Sequence, residues 1–76
     1  MSNFIIYVDL SGEYRWYLQA ENNRKIADSG EGYSTREDCE HGIQLVKHMA
    51  PKAKIVIGVT ERNGSRARGV ETLIEQ

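Results

Sequence analysis

The single thiol, Cys39, is the first residue in the chain to test for covalent chemistry. A thiolate acts as a nucleophile when a base stands within hydrogen-bond reach. His41 follows only two residues later, and on a helix that spacing turns it away from Cys39, so the pair reads as a structural cysteine beside a solvent-facing histidine. His48 lies on the same side as His41 two helical turns on. That separation of about 10 Å along the axis is too great for one metal ion, and Glu37, four residues before His41, does not complete a ligand set. Gly30-x-Gly32 ahead of a helix has the outline of a phosphate-cradling loop. It lacks the third glycine and the following lysine, and Glu31 would repel the anion, so it reads as turn geometry. With no triad, no metal set and no phosphate loop, a non-enzymatic protein without a cofactor is expected.

Binding chemistry is better represented. Tyr7, Arg15, Tyr17 and Gln19, with Lys25 nearby, fall at strand parities that bring them to one sheet face. They are the candidate partner-binding residues. Aromatic rings interleaved with basic groups on an open sheet also suit nucleic acid, by stacking and charge neutralisation. The nucleic-acid reading takes Arg15 and Lys25 together with Arg62, Arg66 and Arg68 of the C-terminal tail. Against it stand the nearby Asp9, Glu13, Glu21 and Asp28, and a tail made neutral by Glu61, Glu71 and Glu75. A protein partner is therefore the leading expectation and nucleic acid the alternative.

These residues need a scaffold, and Gly12-Glu13-Tyr14-Arg15-Trp16-Tyr17-Leu18 is its centre. Tyr14, Trp16 and Leu18 alternate with Arg15, Tyr17 and Gln19, which predicts a strand from Tyr14 to Ala20 with its heavy side in the core. Asn3 to Asp9 is an earlier strand, joined to it through a turn at Gly12 as an antiparallel hairpin. Glu21 to Arg24 predicts a second turn, and Lys25 to Ser29 a short third strand anchored by Ile26 and frayed at its far end. Ser34 with Glu37 fits a capping box at the start of a helix running to Met49, ended by Pro51. Cys39, Ile43, Val46 and Ala50 form its apolar stripe, and Gly42 implies close approach to a bulky ring such as Trp16. Lys54 to Thr60 is a strand apolar at both parities, hence one buried on both faces or paired on both edges. Residues 1–60 are expected to form the domain and 61–76 a partly ordered tail, in which Val70, Leu73 and Ile74 allow one helical turn.

Seventy-six residues make one small domain, and a lone core of that size supplies about 3–5 kcal/mol. One cysteine excludes an internal disulfide, which leaves association with a second copy as the remaining staple. Ten Lys and Arg against eleven Asp and Glu give a net charge of −1, which argues against whole-domain attraction to phosphate backbones. No apolar run approaches the length of a membrane span and the N-terminus lacks a leader pattern, so a cytoplasmic protein with no membrane association is expected.

Several short motifs in linear order resemble the YegP-like family of uncharacterised bacterial proteins. They are Gly12-Glu13-Tyr14-Arg15-Trp16 with Leu18, then Ser29 and Glu31-Gly32-Tyr33, then Cys39, Gly42-Ile43, Val46-Lys47 and Ala50-Pro51-x-Ala53. The resemblance covers residues 4 to 60. It implies an α+β fold, a β-β-β-α-β unit whose antiparallel sheet is backed by one helix. It further implies a homodimer in which two units build one continuous sheet and the C-terminal strand, Ile55 to Val59, is exchanged between subunits. It implies no activity. The apolar last strand and the long tail depart from the family pattern.

Overall fold

The computed structural model describes residues 1–60 and 67–74. Three strands, β1 (Asn3–Val8), β2 (Tyr14–Gln19) and β3 (Lys25–Asp28), form an antiparallel sheet in the order β1-β2-β3. The helix α1 (Arg36–Met49) follows, then a short 3-10 turn (Ala50–Lys52). A second, separate sheet joins β4 (Ile55–Thr60) to β5 (Ala67–Ile74).

Each element of the first sheet follows from local chemistry. Gly12 takes φ +88° at the first turn and Asn23 takes φ +68° at the second, the left-handed region that glycine and asparagine tolerate best. The register sets Phe4 opposite Leu18, Ile6 opposite Trp16 and Val8 opposite Tyr14 on the helix side. Asn3, Ile5 and Tyr7 face Gln19, Tyr17 and Arg15 on the other side. Trp16, Cys39 and Ile43 are buried at the centre, with Phe4, Ile6, Tyr14, Leu18, Tyr33 and Val46 packed around them. Phe4 meets the Trp16 ring edge-on, centroids 5.4 Å apart. Such a pair adds about 0.5–1.5 kcal/mol to the burial itself.

Four sequence expectations change in the three-strand sheet and the helix. Ile26 is no anchor: it is 62% exposed, because the β2–β3 register shifts between Leu18 and Gln19 and leaves it at the irregularity. The far end of β3 is pinned, not frayed. The Ser29 N–H donates to the Trp16 carbonyl at 2.9 Å, and the buried Ser29 Oγ accepts from the Trp16 N–H at 3.2 Å. Thr35, not Ser34, caps α1; its side chain accepts from the Asp38 N–H at 3.0 Å. Gly42 does make a close approach, but to Tyr33: a Cβ there would lie 2.5 Å from the Tyr33 hydroxyl.

The helix stripe is buried only at its centre. Cys39 and Ile43 are covered, Val46 is half-buried, and Leu45, Met49 and Ala50 are exposed. In β4, Ile55, Val56 and Ile57 are each more than 40% exposed. The strand forms no ladder with β1, β2 or β3. It pairs antiparallel with β5 from Ile55 opposite Ile74 to Thr60 opposite Ala67, with register shifts at Ile55/Val56 and Ile57/Gly58. Residues 67–74 thus form a strand in place of the helical turn considered from sequence.

Candidate interaction surfaces

Two surfaces come out of this arrangement. The first is the sheet face turned away from α1, which carries Tyr7, Arg15, Tyr17, Gln19 and Lys25 together. The Tyr7 and Tyr17 rings meet edge-to-face at 5.9 Å, and the Lys25 ammonium stands 5.9 Å from the centre of the Tyr17 ring. Tyr7 is 40% exposed, while Arg15, Tyr17 and Gln19 are half-buried.

Both cations on this face are paired. The Arg15 Nε donates to Asp9 Oδ2 at 2.6 Å, and the Lys25 Nζ donates to Asp28 Oδ2 at 2.9 Å. Asp9 is the hub of the first turn. Its Oδ1 accepts from the Ser11 hydroxyl at 2.7 Å, the Ser11 N–H at 2.9 Å and the Glu13 N–H at 3.0 Å. The Ser11 hydroxyl bond, then Arg15, then the Glu13 N–H hold the Asp9 carboxyl far below the usual carboxylate range. The same contact with Asp9 raises Arg15, and Asp28 raises Lys25. The sequence reading treated Asp9 only as an acid near the face. The signal for its larger role was the Asp9-Leu10-Ser11-Gly12 order, which suits a carboxylate bonding its own backbone two residues on.

The second surface is an open groove of about 790 Å³ along the edge of β1 that pairs with no other strand among the described residues. Phe4 and Ile6 form its floor, with Glu37, His41, Gln44 and Lys47 of α1 along its wall. A smaller hollow of about 360 Å³ continues past Val8 and Tyr14 to Arg36. Arg36 beside Val8 at one end and Lys47 beside Asn3 at the other mean that α1 runs opposite to β1. The free strand edge offers backbone donors and acceptors, and the floor is apolar. An apolar slot beside a free strand edge is the geometry that strand addition uses.

The residues weighed for covalent or metal chemistry stay apart. Cys39 has no exposed surface, and burial, with Glu40 adding to it, pushes its thiol up. His41 lies on the groove wall, and His48 Nε2 is 3.3 Å from Lys52 Nζ. Among the described residues no three His, Cys, Asp or Glu side chains gather as a metal set. Gly30 and Gly32 lie in the loop that leads to Tyr33, whose backbone bridges Tyr14 through two hydrogen bonds of 2.7 and 2.8 Å. Arg62 and Arg66 lie outside the described residues. No helix among the described residues is long and apolar enough to cross a membrane.

Residues 9–56 match the family described as a domain of unknown function, DUF1508. The chain belongs to that family. A UPF0339 protein of Methanosarcina acetivorans is 47% identical over 75% of this chain and 97% of its own length. Another, named for its place in the ptx operon 5′ region of Stutzerimonas stutzeri, is 44% identical over 63% of this chain but only 42% of its own. The solution structure of a protein from Haloferax volcanii superposes with a TM-score of 0.71 at 39% identity, over 74% of this chain and 93% of that one. The YegP-like resemblance and the α+β fold are thereby borne out, although "bacterial" was too narrow a label, since an archaeal relative is among them. The DUF1508 match ends inside β4, and β5 lies beyond it.

Proposed function

We propose that this DUF1508 domain is a small non-enzymatic interaction module of the cytoplasm. It forms a homodimer by laying β4 of each copy along the β1 edge of the other, and binds a partner protein through the face of Tyr7, Arg15, Tyr17 and Gln19 or the groove between subunits. One observation carries the dimer. Among the described residues the sheet β1-β2-β3 has an open edge beside an apolar groove, while the apolar strand β4 pairs with none of β1, β2 and β3. The Stutzerimonas relative is consistent with this, since a match over 42% of its length leaves room for a second unit in one chain.

The outer sheet face favours a protein partner over nucleic acid. Arg15 and Lys25, the two sheet cations a phosphate backbone would need, are each bound to a carboxylate. Light scattering over a dilution series tests the dimer: a mass of twice 8.6 kDa is expected, and 8.6 kDa at high concentration overturns it. Titration with duplex and single-stranded DNA at low salt tests the face. No binding is expected, whereas binding that weakens steeply with salt and with Arg15→Ala would replace the protein-partner reading.

A further inference from the structure

A strand has two hydrogen-bonding edges, and an uncovered one is a template for further chains. In the exchanged dimer, β4 would use one edge on β1 of the second copy. Left alone, its other edge would stay open, either joining the two half-sheets into one or recruiting further molecules. In this chain that edge has a strand of its own. Residues Ala67–Ile74 run antiparallel along β4 over its whole length. They lie outside the family match, which stops at residue 56.

We propose that β5 is a strand this protein adds to the exchanged sheet, so that each half reads β3-β2-β1 of one copy followed by β4-β5 of the other and ends at β5. The inference rests on the exchanged dimer proposed above. Two features of the ladder support a terminal role. The β4–β5 register shifts twice within six residues of β4, at Ile55/Val56 and Ile57/Gly58, and such bulges increase twist and spoil an edge as a template. The segment Ala-Arg-Gly-Val-Glu-Thr-Leu-Ile also contains Arg68, Gly69 and Glu71, where an adhesive edge is apolar, flat and uncharged. The dimer of this protein is therefore closed: the exchange uses β1 and one side of β4, and β5 takes the other side. The continuous sheet implied by the family resemblance is interrupted at this strand.

Mixed dimers of isotope-labelled and unlabelled full-length chains test this by NMR. Contacts from β4 to β1 should run between chains and contacts from β4 to β5 within one chain. Two overturning results are distinguishable. If β4–β1 contacts run between chains but β4 touches β4 of the second copy in place of β5, the terminal-strand inference fails and the exchanged dimer stands. If the full-length chain is monomeric, both fail. Thr72→Pro, which removes one donor from β5, is the companion variant. It should leave the mass that of a dimer at micromolar concentration and speed hydrogen exchange of the β4 amides about tenfold, with larger species growing in on concentration. Unchanged β4 exchange and a clean dimer at every concentration would overturn the role assigned to β5.

Discussion

The body of β1, β2, β3 and α1 and the ladder of β4 and β5 are built from the same kinds of residue yet stand differently toward water. In the body, Trp16 is 6% exposed and Cys39 fully covered, the helix entry is capped by Thr35, and both turns are tied by backbone bonds. In the ladder, Ile55, Val56 and Ile57 remain more than 40% exposed although the backbone is paired. Backbone pairing and side-chain burial have come apart in β4. A strand satisfied along one edge and only partly covered at Ile55, Val56 and Ile57 suits the role of an interface half, which is what the proposed dimer asks of it.

The comparison breaks most severely if the body does not stand on Trp16. Trp16→Ala should cost about 3–5 kcal/mol, comparable to the whole margin of so small a core, and abolish the cooperative transition in urea. Ile57→Asp attacks the other region. It should leave the Trp16 fluorescence native while weakening the proposed dimer at least about 100-fold by light scattering, because a carboxylate would have to be buried in the strand that the proposal docks beside β1. A native dimer from this variant would show that β4 faces are not the contact. Trp16→Phe sharpens the account of the body. The Trp16 indole N–H is buried without a hydrogen-bond partner among the described residues, so only packing is lost, about 1–2 kcal/mol in a urea melt.

The smallest effect is acid sensitivity. Asp9 titrates far below its ordinary value of 3.8 in the fold, so its contribution is complete above that value and is lost as the pH falls below it. The urea midpoint should therefore hold down to about pH 4 and drop progressively below it, and Asp9→Asn should lower the midpoint at pH 5 and flatten the drop below pH 4. An equal drop in the variant would remove Asp9 as a cause.

Where backbone preference and side-chain alternation agreed, the fold was readable from residues alone. The hairpin about Gly12, the Tyr14-Trp16-Leu18 face and the Cys39–Ile43 stripe all came through. What escaped depended on contacts between distant segments. Ile26 has the residue type of an anchor, but the shift at Leu18/Gln19 moves it outward. Ser29 looked like a strand end and is a buried partner of Trp16. Ser34 and Thr35 each stand three residues ahead of an acid, Glu37 and Asp38, so two capping frames competed; Thr35 is the one that caps. The strand at 67–74 was hidden by its Arg, Gly and Glu content, since what makes it a strand is the ladder with β4. That Tyr7, Arg15, Tyr17 and Gln19 share one sheet face was legible from parity, while the carboxylates that pair with Arg15 and Lys25 needed the folded chain to be seen.

Gly42 sits under the Tyr33 hydroxyl, and Tyr33 is fastened to Tyr14 by two backbone bonds, so its main chain is held while its ring packs on the helix. The missing methyl thus sets the gauge between helix and sheet, and with it the width of the groove beside β1 into which the proposed dimer lays a strand. Alanine at this position should jack α1 away from the sheet, leaving a chain that still melts cooperatively but assembles more weakly than its parent. A single hydrogen atom would then govern how tightly the two copies of the proposed dimer clasp.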